Sequence, residues 1–243
     1  MIYATFAQLY DDLMEPEMYT QWLEYVRENI QQDGELLDLA CGSGRLAVLL
    51  KQAGYDVVGF DLSEEMLAIA EQHAREAAVS LPLIQGDMTD LSGLDTFKYI
   101  TCFADSLCYL PDEQTLLQTF QAIYAHLTAT GIFLFDVITP YQTDEVYPGY
   151  MYNYTDEQQA FVWNSYADQA LHSVVHDLTF FIWNESIQGY QRINELHHER
   201  TYSLATYCQL LQQAGFSEVQ VSADFGKSEP TKQTTRWFFK CQK

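Results

Sequence analysis

Positive charge is scarce in this sequence: its 243 residues hold 12 Lys and Arg against 34 Asp and Glu, a formal net charge of −22. Such a surplus repels phosphate backbones and anionic bilayers, so neither nucleic acid nor a membrane is an expected partner. The basic residues are scattered singly, except where Lys227, Lys232, Arg236, Lys240 and Lys243 gather near the C-terminus. These read as solvated charges on an edge hairpin. Also missing are an apolar run of membrane-spanning length and a basic N-terminal flank leading into an apolar core, so neither a spanning helix nor a secretory leader is expected. Paired cysteines are absent as well. Cys41, Cys102, Cys108, Cys208 and Cys241 are odd in number and lack the spacing of a zinc site or a disulfide framework. Reduced thiols, no metal centre and a cytoplasmic location are expected. No internal repeat or low-complexity linker divides the chain.

What is present is a globular composition, 48% hydrophobic, sufficient for a substantial core. Residues 3–30 show helical periodicity interrupted near Pro16, with Phe6, Leu9, Tyr10 and Leu13 on one face and Tyr19, Trp22, Leu23, Val26 and Ile30 on the next. Apolar runs and helical patterns then alternate: strands at 35–40, 56–61, 82–86, 97–103 and 131–138, and helices at 44–53, 64–77 and 112–127. Ser63 before Glu64 and Glu65, and Gly54 after the first helix of the series, punctuate it. Such alternation implies right-handed crossovers and a parallel sheet, whose ligands bind beyond the carboxyl ends of the strands. From 140 to 202 the period changes to two, most clearly where Val174, His176, Leu178, Phe180 and Ile182 alternate with their neighbours. Runs at 160–167 and 189–202 are placed to pair with it. A helix at 203–214 and strands at 216–224 and 235–241 complete the chain. The expected organisation is a helical cap (1–34), an α/β core (35–139 and 203–243) and an antiparallel β insertion (140–202).

The stretch 36–46, Leu-Leu-Asp-Leu-Ala-Cys-Gly-Ser-Gly-Arg-Leu, is a buried strand that feeds a helix through Gly42 and Gly44. Glycines there permit left-handed backbone and close ligand approach, and the helix N-terminus offers unpaired N–H groups. By itself such a turn is also explained as a tight strand-to-helix connection. Three carboxylates, however, fall at successive predicted strand ends: Asp38, Asp61 and Asp87. Asp61, 17 positions beyond Gly44, is placed to accept both hydroxyls of a ribose.

With Gly-Phe-Asp-Leu-Ser-Glu-Glu-Met-Leu (59–67) and Gln-Gly-Asp-Met-Thr-Asp (85–90) added, residues 35–138 resemble a class I S-adenosylmethionine-dependent methyltransferase. The N-terminal Tyr-Asp-Asp-Leu-Met and the aromatic insert further resemble a group of small bacterial methyltransferases without an assigned substrate. The resemblance implies an α/β, Rossmann-like doubly wound sheet, mostly parallel with an antiparallel C-terminal strand and an inserted antiparallel β subdomain. It implies S-adenosylmethionine as cofactor and S-adenosylhomocysteine as product. Ala40, Gly42 and Gly44 would line the methionine portion, with Asp38 near its amino group and Tyr10 closing over that end. Asp61 would hold the ribose, Leu62 would pack on adenine with Met66 nearby, and Asp87 and the Met88 backbone would meet the adenine edge. Phe103, Ala104 and Ser106 would stand near the donor methyl. Ala40 departs from the pattern, because a glycine often stands there.

Gly-Ser-Gly-Arg-Leu-Ala also satisfies the G-x-G-x-x-A spacing of a nicotinamide enzyme. A pyrophosphate would be repelled by Asp38, whereas an ammonium and a sulfonium would be attracted. The expected activity is methyl transfer to a small molecule by direct displacement; an NAD-dependent oxidoreductase or a non-catalytic S-adenosylmethionine-binding protein are the alternatives. A general base is optional for such chemistry, and His176, His197 and Tyr10 are candidates, with His172 and His198 also in the insert. His172 and His176, four apart, would share one face of a strand. The aromatic density of the insert suits an acceptor pocket, ordinary sheet packing or a homodimer surface.

Overall fold

The computed structural model describes residues 11, 16–157 and 159–243. The first expected helix, with Phe6, Leu9, Tyr10 and Leu13, lies outside the described residues apart from Asp11. The second is α1 (Pro16–Asn29), which buries Trp22, Leu23, Tyr25 and Val26.

Five strands pair in parallel: β1 (Glu35–Leu39), β2 (Asp56–Asp61), β3 (Leu83–Gln85), β4 (Phe97–Cys102) and β5 (Leu127–Ile138). Between them run α2 (Arg45–Gln52), α3 (Glu64–Glu76) and α4 (Glu113–His126). The second sheet follows, built of β6 (Met151–Thr155), β7 (Gln159–Ala167), β8 (Ser173–Asn184) and β9 (Gly189–Arg200), antiparallel in that order. The chain then returns through α5 (Leu204–Ala214) to β10 (Glu218–Ser222) and β11 (Arg236–Gln242), which complete a seven-stranded sheet in the order β10-β11-β5-β4-β1-β2-β3. β11 is antiparallel to both neighbours. The fold is therefore the Rossmann-like methyltransferase sheet expected, with its strand order reversing between β1 and β4. That switch point opens a crevice at the carboxyl ends.

Both faces of the large sheet are covered, which is why its strands read as nearly unbroken apolar runs. On one face Leu37, Ile100, Phe133, Phe135 and Val137 pack beneath α4 and α5; on the other Leu36, Val57, Leu134 and Phe238 pack beneath α1 and α2. Phe133, Phe135 and Phe239 stack at centroid separations of 4.7 and 4.4 Å. Ser63 caps its helix as expected, and Asp112 and Ser203 do the same at theirs, each accepting from the backbone N–H three residues on. β5 begins earlier than the period suggested, directly after α4, because its pairing with β4 shifts register between Phe97 and Tyr99.

Two expectations need correction. The β10–β11 hairpin does lie at one edge of the sheet, but the basic residues along it are not all solvated. Lys243, just after β11, donates to the Tyr124 and Leu127 carbonyls, and Arg236 is drawn into the interior. Its guanidinium pairs bidentately with Asp105 at 3.0 Å and with Asp136 at 3.0 Å, while the Trp22 indole N–H donates to the other Asp136 oxygen at 2.7 Å. His172 likewise does not share a strand with His176: it sits before β8 with φ +56°, and its Nδ1 lies 2.6 Å from Asp144. All five cysteines are unpaired, and among the described residues no helix is long and apolar enough to cross a membrane.

Replacing Arg236 with Met would leave Asp105 and Asp136 facing each other without a cation. Urea unfolding at neutral pH is expected to show a loss of about 3–5 kcal/mol, and a loss below about 1 kcal/mol would contradict the pinning role.

Candidate functional site

The turn after β1 is built from left-handed residues: Ala40 at φ +58°, Gly42 at +54° and Gly44 at +73°. Gly44 has no room for a side chain, since a Cβ would stand 2.7 Å from that of Ala70 on α3. At Gly42 the space is open, with nothing within 4 Å of such an atom, so its glycine serves backbone conformation and approach from outside. Ala40, the departure noted in the sequence, holds a conformation that glycine adopts more cheaply. Beneath the turn Asp38 is 3% exposed and accepts a hydrogen bond from Thr101 at 2.8 Å. Burial raises its carboxyl to about 7, with Asp61 adding to the rise and Thr101 opposing it. Its charge is thus weaker at neutral pH than the sequence argument assumed, until a cation arrives.

Asp61 closes the turn from the neighbouring strand. One carboxylate oxygen accepts from the Gly42 N–H at 2.7 Å and the other from the Ser63 N–H at 2.9 Å. Burial raises this carboxyl too, against those two donors. Each oxygen keeps a lone pair beyond its backbone bond. Beside it Leu62 is 67% exposed, an apolar side chain laid open at the rim. Met66 follows on the first turn of α3, its N–H bound to Ser63. After β3, Asp87 accepts from both the N–H and the hydroxyl of Thr89 through one oxygen, and Met88 packs partly into the core. Parallel pairing brings the turns after β4, β1, β2 and β3 side by side along one edge.

Phe103 is buried against Trp22, at 6.2 Å between rings. The next two residues, Ala104 and Asp105, are both left-handed at φ +55° and +52°. Consecutive non-glycine residues in that region are strained and persist only when held. The hold is visible: the Asp105 N–H donates to Asp136 at 2.9 Å, and Arg236 grips its carboxylate. The Ser106 hydroxyl is spent on the Phe103 carbonyl.

Sequence reasoning missed a second anchor. Asp11 is buried and accepts from Ser43 Oγ at 2.5 Å and from Arg45 Nε and Nη2 at 2.5 and 2.6 Å. His73 joins it, its Nδ1–H donating to the Ser43 carbonyl at 2.8 Å and its Nε2 lying 3.3 Å from Asp11. Tyr19 of α1 stands in the same group, and burial pushes its phenol up to about 12. Tyr10, proposed from the sequence as a lid, lies outside the described residues.

Where β4 ends, a cavity of about 340 Å³ opens between the two sheets. Ala104, Asp105 and Arg236 belong to its floor; Tyr147, Trp163, His176 and Glu199 belong to its far wall. His176 and His197, both candidates from the sequence, line it. His197 bonds Tyr109 at 3.1 Å, and burial together with the neighbouring His176 and His198 lowers its imidazole to about 4, so it is neutral at neutral pH. Glu199 was not singled out from the sequence, where it sits unmarked in an acidic and basic run.

A family model described as a methyltransferase domain matches residues 36–131. The chain is 38% identical to "Putative methyltransferase YqeM" of Bacillus subtilis (strain 168), over 100% of this chain and 98% of that protein. A crystal structure of an S-adenosylmethionine-dependent methyltransferase from Clostridium acetobutylicum ATCC 824 superposes with a TM-score of 0.84 at 27% identity, covering 99% of this chain and 98% of that one. The fold is also shared with CalS10, an amino pentose methyltransferase from Micromonospora echinaspora solved with S-adenosylmethionine bound, at a TM-score of 0.73 and 18% identity over 98% and 96% of the two chains. A full-length relative at this identity and a family match over the glycine turn and its strands lead to one conclusion: the chain belongs to the class I S-adenosylmethionine-dependent methyltransferases, with S-adenosylmethionine as its cofactor.

Proposed function

We propose that this enzyme methylates a small molecule seated in the cavity between the sheets, by direct displacement, in the cytoplasm and without nucleic acid or membrane as partner. One observation carries the reading: Ala104 and Asp105 belong both to the strand-end edge that bears Asp38, Asp61 and Asp87 and to the cavity lining. A ligand on that edge and an acceptor in the cavity meet at one point. When bound, the cofactor supplies a methyl carbon activated by a positive sulfur.

The residues then have distinct tasks. Asp61, fixed by two backbone N–H groups, offers its remaining lone pairs to the ribose hydroxyls. Leu62 and Met66 provide apolar surface for adenine, while Asp87 and the Met88 backbone border the ring. Ala40, Gly42 and Gly44 let the methionine portion lie against backbone, and Asp38 answers its ammonium. Phe103, Ala104 and Ser106 shape the passage to the cavity. The chain's contribution to rate is alignment of acceptor and methyl in a fixed geometry.

Two measurements test this assignment. In calorimetry, Asp61→Ala should weaken S-adenosylmethionine binding by roughly 10–100-fold, the worth of one or two hydrogen bonds to a charged acceptor; equal binding by variant and wild type would contradict it. The second concerns pH. Because an ammonium favours ionised Asp38, which burial holds at about 7, cofactor affinity should fall as pH drops through that value, approaching about tenfold per unit. Asp38→Asn should flatten the profile.

A further inference from the structure

The far wall of the cavity holds two buried polar atoms that have no hydrogen-bond partner: His176 Nε2 and Glu199 Oε2. His176 on β8 is 3% exposed and Glu199 on β9 is 7% exposed. Neighbouring groups occupy the other side of the imidazole. The Trp163 indole N–H, which can only donate, is shared between Ser165 Oγ at 2.9 Å and His176 Nδ1 at 3.1 Å, and the Ser165 hydroxyl lies 2.7 Å from the same nitrogen. Nδ1 is thus engaged by this pair, and Nε2 is the ring atom left facing Glu199. Nε2 faces Glu199 Oε1 across 3.7 Å, too far for a direct bond. A gap remains in which a donor from the cavity reaches the carboxylate.

The charges around that gap favour a cation. Arg236 is shared between Asp105 and Asp136, so this group is net negative when ionised. His197 is neutral at neutral pH, and burial holds the Tyr147 phenol protonated. Glu199 adds a second acid, with burial raising its carboxyl, the nearby His176 and Tyr109 opposing the rise and Asp105 adding to it. Around these acids the surface is aromatic. Tyr147 and Trp163 close on His176 at 4.6 and 5.3 Å, and Tyr150 stands 5.4 Å from Trp163. Aromatic faces beside a carboxylate suit a desolvated ammonium.

Building on the reading of this cavity as the acceptor site, we propose that the acceptor is an amine, bound as its ammonium form between Glu199 and the aromatic wall, with Glu199 as the proton acceptor. The ammonium nitrogen gives one proton to a Glu199 oxygen and regains its lone pair. That pair forms the bond to the methyl carbon as the carbon–sulfur bond breaks, its electrons passing to sulfur. The products are the N-methylated ammonium and S-adenosylhomocysteine, and the proton on Glu199 leaves to solvent.

The test uses choline and its uncharged isostere 3,3-dimethylbutan-1-ol, neither of which offers an amine nitrogen to methylate, so binding alone is read. Both are titrated into the full chain saturated with S-adenosylhomocysteine. Choline should bind at least about tenfold more tightly than the isostere. Glu199→Gln should bring the two within about twofold while S-adenosylhomocysteine affinity stays unchanged. Trp163→Leu, a second variant on a different strand, should weaken choline more than the isostere. Equal affinities in the wild type, or no binding of either while S-adenosylhomocysteine binds normally, would overturn the amine assignment and leave the methyltransferase reading standing. Failure of S-adenosylhomocysteine itself to bind would remove the reading on which the proposal rests.

Discussion

Arg236 is the residue on which the rest of this structure turns. Its guanidinium, delivered by the last strand, sits between Asp105 at the end of β4 and Asp136 inside β5, and Trp22 of α1 completes the group through the second Asp136 oxygen. Four segments far apart in sequence thus meet at one buried charge cluster. A carboxylate such as Asp136, wholly buried, is tolerable only with a cation and donors at hand. The same cluster holds Ala104 and Asp105 in their strained left-handed bend, and that bend is where the strand-end edge and the cavity join.

Acids recur through the site with different surroundings, and those surroundings divide their labour. Asp38 lies under the turn, where burial raises its carboxyl to about 7, so it responds to an arriving cation. Asp61 is braced by backbone N–H groups and is set in direction before any ligand binds. Asp11 is occupied by Arg45, Ser43 and His73, and so is joined to the glycine turn. Asp105 and Asp136 are neutralised in part by Arg236. An excess of acid that in composition suggested only what the protein avoids becomes, in three dimensions, a graded series suited to a cationic cofactor.

Much of this was legible in the sequence, and the reasons differ by element. The parallel strands announced themselves because both faces of the sheet are covered, giving short apolar runs separated by helical periods. The glycine turn and the acids at successive strand ends were readable because their spacing is local. That spacing alone left a nicotinamide enzyme open, and family membership decides for the methyltransferase. β6 escaped notice because Met151–Thr155 is exposed on both sides and so carries no alternation. The basic cluster at the C-terminus was misread because an ion pair spanning 131 positions, as between Arg236 and Asp105, leaves no periodic trace. Asp136 did leave a trace: an acid inside an apolar run implies a buried partner, though not which one. The cavity and Glu199 depend on how two sheets face each other, which no local pattern encodes.

The central claim is that cofactor and acceptor meet where β4 ends, with the cofactor along the strand-end edge and the acceptor in the cavity between the sheets. A crystal structure of the chain with S-adenosylhomocysteine bound tests it most directly. In that structure the ribose should lie on Asp61, the adenine on Leu62, and the sulfur beside Ala104 facing the cavity. A sulfur that faces bulk solvent, or that is separated from the cavity by ordered protein, would contradict it.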